Sequence, residues 1–156
     1  MKTRRIATRA IIFKDGKLLC QQLTPGDDGK ARAYWCTPGG GLDIGEPLET
    51  GLHREMIEET GIAPKIGRLL FIQQFSEDNE KEQMEFFYLV ENPEDYEVID
   101  LAGTTHGELE IENVEFIDPK TENVLPDFLQ TIDIQSYIDT VQPVLVYDEI
   151  SPVTKA

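Results

Sequence analysis

An α/β domain is what the sequence predicts, on three observations. β-prone runs fall into pairs joined by short polar turns, one long helix pattern is bounded by a proline and a glycine, and 156 residues suffice for one core without disulfides or structural metals. The whole chain, 1–156, is read as one domain.

The elements follow in order. Residues 6–13 and 18–23 are two β-prone runs joined by Lys14-Asp15-Gly16-Lys17, whose Asp-Gly pair suits a tight hairpin turn. A polar segment over 24–33 leads into Tyr34-Trp35-Cys36-Thr37, and Pro38-Gly39-Gly40-Gly41 then breaks any regular element. Pro47 is placed as a first helical residue and Gly61 as a stop, which predicts a helix over 47–60. Runs 66–75 and 84–90, separated by an acidic stretch, predict antiparallel strands, and 114–117 another strand. Beyond Pro126 the spacing of Phe128, Leu129, Ile132 and Tyr137 permits a second amphipathic helix, and Val144-Leu145-Val146-Tyr147 a last strand or a packed arm.

Thirty acidic against 14 basic residues leave a formal charge of −16, which repels polyanions and argues against a nucleic-acid polymer as partner. The cations concentrate early, with Lys2, Arg4, Arg5, Arg9, Lys14, Lys17, Lys30 and Arg32 within the first 32 positions. No apolar run approaches the length that spans a bilayer, and the start lacks the apolar stretch of a signal peptide, so a cytoplasmic protein without a membrane partner is expected. Cys20 and Cys36 lack metal-ligand spacing and read as buried thiols.

The chemistry concentrates on the first helix. At about 100° per residue, Glu55, Glu58 and Glu59 fall within an arc of roughly 100°. Gly51 projects into the same arc, a costly residue in a helix interior that implies a close approach. Leu48, Leu52 and Met56 form an adjoining apolar stripe able to dock the helix on a sheet. Like charges at i, i+4 and carboxylates near the C-terminal end oppose helix stability, so the pattern does little for the fold. A solvated acidic face is the bland reading of such a helix; a hard-oxygen site for divalent cations is the functional one.

The spacing around that helix decides between them. Gly40, Glu46, Arg54-Glu55, Met56, Glu58-Glu59, Gly61 and Ile62 match every position of the Nudix box, and the chain so resembles the Nudix hydrolase family, MutT-like in kind. With residue frequencies near 5–10 per cent, its seven fixed matches would arise by accident on the order of once in ten million starts. Trp35-Cys36-Thr37-Pro38-Gly39-Gly40 also looks like the strand and loop that enter this box.

The resemblance implies an α/β/α sandwich around a mixed β-sheet, with the box forming loop, helix and loop. It implies Mg²⁺, with Mn²⁺ an alternative, held by Glu58, Glu59, Glu55 and a backbone carbonyl near Gly39 or Gly40. Glu55 is then a ligand or the general base, and Glu46 and Arg54 an orienting ion pair that fixes it. A further carboxylate would come from Glu108, Glu110, Glu112 or Glu115. Arg9 and Arg32 are candidate phosphate holders, although solubilising charge is the plainer reading of each. Tyr34, Phe75 and Tyr88 could stack on a ring but, lying in β-prone segments, read first as core. His53 and His106 have no second histidine at ligand spacing and read as incidental.

The implied reaction is hydrolysis of a diphosphate linkage in a nucleoside diphosphate linked to another group, with a nucleoside triphosphate as the narrower expectation and ADP-ribose or a nucleotide sugar as the substrate alternative. A non-catalytic Nudix-fold nucleotide sensor would be expected to lose box glutamates, all four of which are present here. An acidic cation buffer would need neither the Pro-Gly-Gly loop nor the spacing. The partner expected is a small nucleotide-like molecule, with a homodimer left open.

Overall fold

The computed structural model describes residues 1–24, 33–104, 107 and 111–149. Strands β1 (Thr3–Ile11), β2 (Phe13–Lys14), β3 (Lys17–Leu23), β4 (Trp35–Cys36) and β5 (Gly39–Gly41) precede helix α1 (Leu48–Thr60). After it come β6 (Ile66–Ser76), β7 (Lys81–Val90), β8 (Ile111–Ile117), β9 (Val124–Leu125), the short helix α2 (Ile134–Asp139) and β10 (Leu145–Glu149). Single 3₁₀ turns occupy Pro93–Tyr96, Leu101–Gly103 and Asp127–Gln130.

The strands form two mixed sheets. The larger runs β10-β6-β7-β1-β5, with β1 parallel to β7, β10 parallel to β6, and β6/β7 and β1/β5 antiparallel. The smaller runs β2-β3-β4-β9, with β8 on β3. The expected mixed α/β layering is present, but two sheets stand where one was expected. The strand breaks at Ile12: Asp15 and Gly16, at positive φ of 52° and 78°, turn the short β2 back on β3, whereas β1 before the break pairs with β7, and β3 also takes β8 and β4.

Strand alternation feeds two cores. On one face of the large sheet, Ala10, Ile12, Tyr88 and Val90 meet Leu52 and Met56 of α1, with Leu48 packed at the edge, so the predicted stripe docks the helix. On the other face Ile11, Phe71 and Phe87 meet Trp35, Val124, Phe128 and Ile134 from the smaller sheet, the 3₁₀ turn and α2. Phe128 packs edge-on to Phe71 and Phe87 and stacks on Tyr147 with centroids 4.2 Å apart.

The predicted second helix is broken in two. Asp133 lies in extended conformation and its carboxylate accepts from the Ser136 N–H at 3.3 Å, so it starts α2 afresh instead of continuing the turn from Asp127. The carbonyls at the other end of α2 are met by the Arg68 guanidinium, which donates to Tyr137, Ile138 and Thr140. The tail becomes β10, parallel to β6. Among the described residues no helix is long and apolar enough to cross a membrane.

Candidate active site

Helix α1 begins after Pro47, whose carbonyl accepts from the Gly51 N–H at 3.0 Å, and ends at Gly61, whose left-handed backbone (φ 74°) returns its N–H to Ile57. Leu42 and the Glu46 carboxylate crowd the space where a Gly51 side chain would go, so the bare helical position admits the incoming loop as expected.

Arg54 organises the acids. Its Nε and Nη2 donate to the two oxygens of Glu46 at 2.8 and 2.9 Å, its Nη1 to Glu55 at 3.0 Å and Glu58 at 3.2 Å, and its Nη2 also to the Gly41 carbonyl at 3.1 Å. The expected Glu46–Arg54 pair is present as a two-pronged contact. Arg54, with help from the Asp43 N–H, holds the Glu46 carboxyl down at about 2, and these same bonds, that to Glu46 foremost, raise Arg54.

Glu59 is 5 % exposed and accepts from the Gly39 N–H at 3.1 Å. Burial pushes its carboxyl up to about 7, against the pull of that N–H, of Arg9 and of the Gln21 side chain. Glu55 is half-buried and also raised, burial prevailing over the Arg54 contact.

Strand β5, the edge of the large sheet, consists only of glycines, and its two faces carry different chemistry. A side chain at Gly40 would strike the Glu55 carboxylate at 2.5–2.7 Å, whereas one at Gly41 would strike the Arg5 guanidinium at 2.9 Å. Glu55 therefore sits on the α1 face of β5 and Arg5 on the other, separated by one thickness of backbone. Bonds from Ala10 to Pro38 and from Leu42 to Ile6 make Thr8 and Gly40 the hydrogen-bonded pair between them, so the Gly40 carbonyl faces β1. The Gly39 and Gly41 carbonyls point out from the edge and accept from Arg9 and Arg54.

The oxygen-only donors suit a hard divalent cation, and Gly40 opens the space in which the Glu55 carboxylate lies. Yet among the described residues no three acid, thiol or imidazole side chains converge as one ion's ligand set. Arg54 bridges Glu55 and Glu58, while Glu59 turns to Gly39.

The arginine face opens into a cleft of about 490 Å³ between the two sheets. Arg9 stands at its inner end, its Nε 2.7 Å from Glu85 and its Nη1 directed to the carbonyls of Thr37 and Gly39. Burial works most strongly against the charge on Arg9, but Glu85, Cys36 and Glu59 together outweigh it and the group is raised. Arg5, which the sequence reading did not single out, lines the same cleft. Tyr34 and Phe75 line it too and are not core residues; Tyr88 packs under α1 as expected. Cys36 also borders it, only half-buried, whereas Cys20 is fully buried; neither is in a disulfide. His53, Glu112 and Glu115 are exposed, and Arg32, His106, Glu108 and Glu110 lie outside the described residues.

A carboxylate helix locked by arginine onto a glycine edge strand, within this two-sheet sandwich, defines the Nudix class of protein. The chain belongs to the NUDIX domain family, whose model matches residues 3–133. Among curated proteins it resembles an ADP-ribose pyrophosphatase of Methanocaldococcus jannaschii, 37 % identical over 65 residues, which is 42 % of this chain and 37 % of that relative's length. Among solved structures it resembles the E. coli ORF135 protein, with TM-score 0.64, 22 % identity and coverage of 91 % of this chain and 95 % of that one. A MutT NUDIX hydrolase from Burkholderia pseudomallei gives TM-score 0.57 at 22 % identity, covering 90 % and 100 %. At these identities the two structures establish the fold alone.

Proposed function

We propose that the protein hydrolyses a diphosphate linkage in a nucleoside diphosphate linked to another group, and that its substrate is a nucleoside triphosphate. The observation that carries the reading is the glycine edge strand with Glu55, Glu58 and Glu59 on one side and the arginine-bearing cleft on the other. A cleft of this size suits one nucleoside, whose phosphates would cross the edge toward the acids.

Glu55, Glu58 and Glu59, with an outward carbonyl of β5, would hold Mg²⁺ or Mn²⁺. Such an ion would neutralise phosphate charge and lower the pKa of water, so that a base could take its proton and leave a nucleophile. The protein's own groups then have defined tasks. Arg54 holds Glu55 in place, which suits Glu55 to a base role as well as a ligand role, and burial raises Glu55 in the direction a base requires. Arg5 offers its guanidinium to phosphate, and Arg9 keeps the Gly39 carbonyl and Glu85 in register at the cleft's inner end. Arg32 is proposed as a further phosphate holder only on its place in the sequence.

ADP-ribose is the second reading, favoured by the name of the archaeal relative and by the diphosphate at its centre. Incubating the protein with Mg²⁺ and nucleoside triphosphates, ADP-ribose, nucleotide sugars or dinucleoside polyphosphates, and separating the products, tests both. Release of nucleoside monophosphate and pyrophosphate from a triphosphate is expected. Glu55→Gln should cut turnover by orders of magnitude with the fold intact, and Glu58→Gln or Glu59→Gln should weaken activation by Mg²⁺. Tight nucleotide binding without turnover across the panel would mean a sensor instead.

A further inference from the structure

Cross-strand pairing stacks the large sheet's inner face in layers: Leu145, Phe71, Phe87 and Arg9; then Tyr147, Gln73, Glu85 and Ala7; then Glu149, Phe75, Gln83 and Arg5. The first layer is apolar on three strands and belongs to the core, so Arg9 closes an otherwise apolar row. Opposite Glu85 in the second layer β1 carries only Ala7, and Arg9 leans one layer along to bring its Nε within 2.7 Å of the Glu85 carboxylate. Both side chains are largely withdrawn from water, with exposures of 17 % and 10 %. A buried ion pair often adds little to stability over apolar side chains of similar size, and its worth lies in what it holds in place.

What this pair holds is Gly39. Strand β5 has no side chains and stands at the sheet's edge, joined to β1 by three residues. Its two outward carbonyls are each clasped by an arginine that a glutamate anchors. From the helix side Arg54, forked onto Glu46, donates to the Gly41 carbonyl at 3.1 Å. From the cleft side Arg9, tied to Glu85, donates to the Gly39 carbonyl at 3.1 Å and the Thr37 carbonyl at 3.3 Å. The Gly39 N–H in turn donates to Glu59 at 3.1 Å. A chain of bonds therefore runs from Glu85 through Arg9 and the Gly39 backbone to one of the three acids.

We infer that Arg9 and Glu85 are positioning residues for Glu59: they fix Gly39, and Gly39 sets the carboxylate where a cation would meet it. The inference rests on the reading of Glu55, Glu58 and Glu59 as the cation's ligands. Neither Arg9 nor Glu85 touches the cation or the bond that breaks.

The test keeps every charge, so that the field at the acids is unaltered. Arg9→Lys retains the cation without the fork, and Glu85→Asp retains the carboxylate one methylene short of Arg9. Arg4→Lys and Glu82→Asp are the controls, because Arg4 and Glu82 form the other ion pair between β1 and β7, on the sheet's opposite face. Electron paramagnetic resonance follows Mn²⁺ binding to the nucleotide-free protein, counting only the site lost in Glu59→Gln. Arg9→Lys and Glu85→Asp should each weaken that site about tenfold or more, with both controls within about twofold of wild type. A pair that merely tied β1 to β7 would lower the melting temperature and leave Mn²⁺ affinity where it was. If Arg9→Lys fails to fold, Glu85→Asp decides. An unchanged affinity in the test variants, an equal loss in the controls, or a wild type without a Glu59-dependent Mn²⁺ site overturns the inference. The expected shift alongside an inert hydrolysis panel would leave the positioning role standing while the proposed reaction falls; turnover with an unmoved affinity would do the reverse.

Discussion

Replacing Gly39 by alanine isolates how closely two strands must approach to build this site. Gly39 has φ of 134°, and a methyl group there would enter the Thr8 carbonyl oxygen and come within 2.9 Å of the Arg9 Cα, both backbone atoms that cannot swing aside. Gly45 supplies the control, since its φ of 83° also disfavours a side chain but nothing lies within 4 Å of the added methyl. Gly45→Ala should therefore cost only the left-handed strain of about 1–2 kcal/mol. Gly39→Ala adds a clash relieved only by moving β5 from β1, which loosens the pairs Ala7–Gly41, Thr8–Gly40 and Arg9–Gly39 and the Gly39–Glu59 bond. Its total should reach about 3–5 kcal/mol. In urea unfolding with a slope of about 2 kcal/mol per molar, the two midpoints should differ by about 0.5–2 M. Midpoints within about 0.3 M of each other would refute the claim that strand proximity, and not backbone conformation alone, requires glycine at this position.

Three other outcomes are expected. Arg54→Lys keeps the charge but not the fork that joins Glu46, Glu55, Glu58 and Gly41, so kcat for the best substrate should fall by about tenfold or more; steady-state rates within twofold of wild type would contradict that role. Burial raises the Cys20 thiol well above its usual range, so a disulfide reagent should label Cys36 alone in the native protein and both thiols in urea, with nucleotide slowing the first reaction; equal native rates would count against the placement of the two. Asp133→Ala should cost about 1 kcal/mol in thermal unfolding by uncapping α2, and no change would mean that the cap contributes nothing.

What the sequence disclosed and what it withheld divide along a physical line. The first helix, its docking stripe and the Glu46–Arg54 pair were legible because they depend on residues close in the chain with a fixed angular period. Gly51 was legible for the same reason: a glycine in a helix face means something touches it, and Leu42 and Glu46 do. The second helix misled because Phe128, Leu129, Ile132 and Tyr137 all reach one core although the backbone between them restarts at Asp133. The cleft was illegible because β1, β6, β7, β10 and the turn after Leu125 each contribute only a residue or a few to it. Phe75 in isolation is an ordinary strand aromatic, and only the cross-strand register reveals that its layer has left the core. Arg5 escaped notice among eight early cations because nothing local distinguishes it from Arg4, which turns to Glu82 on the other strand.

The layered inner face of the large sheet has a consequence for how such a protein can change its chemistry. Positions 71, 87 and 145 secure the strands, while 73, two residues along, and 75, 83 and 149, four residues along, meet whatever enters between the sheets. New side chains at the second set inherit a backbone already made rigid by the first. Ligand preference can therefore be rewritten from the floor without disturbing either the aromatic packing beneath or the acidic helix beyond the glycine border.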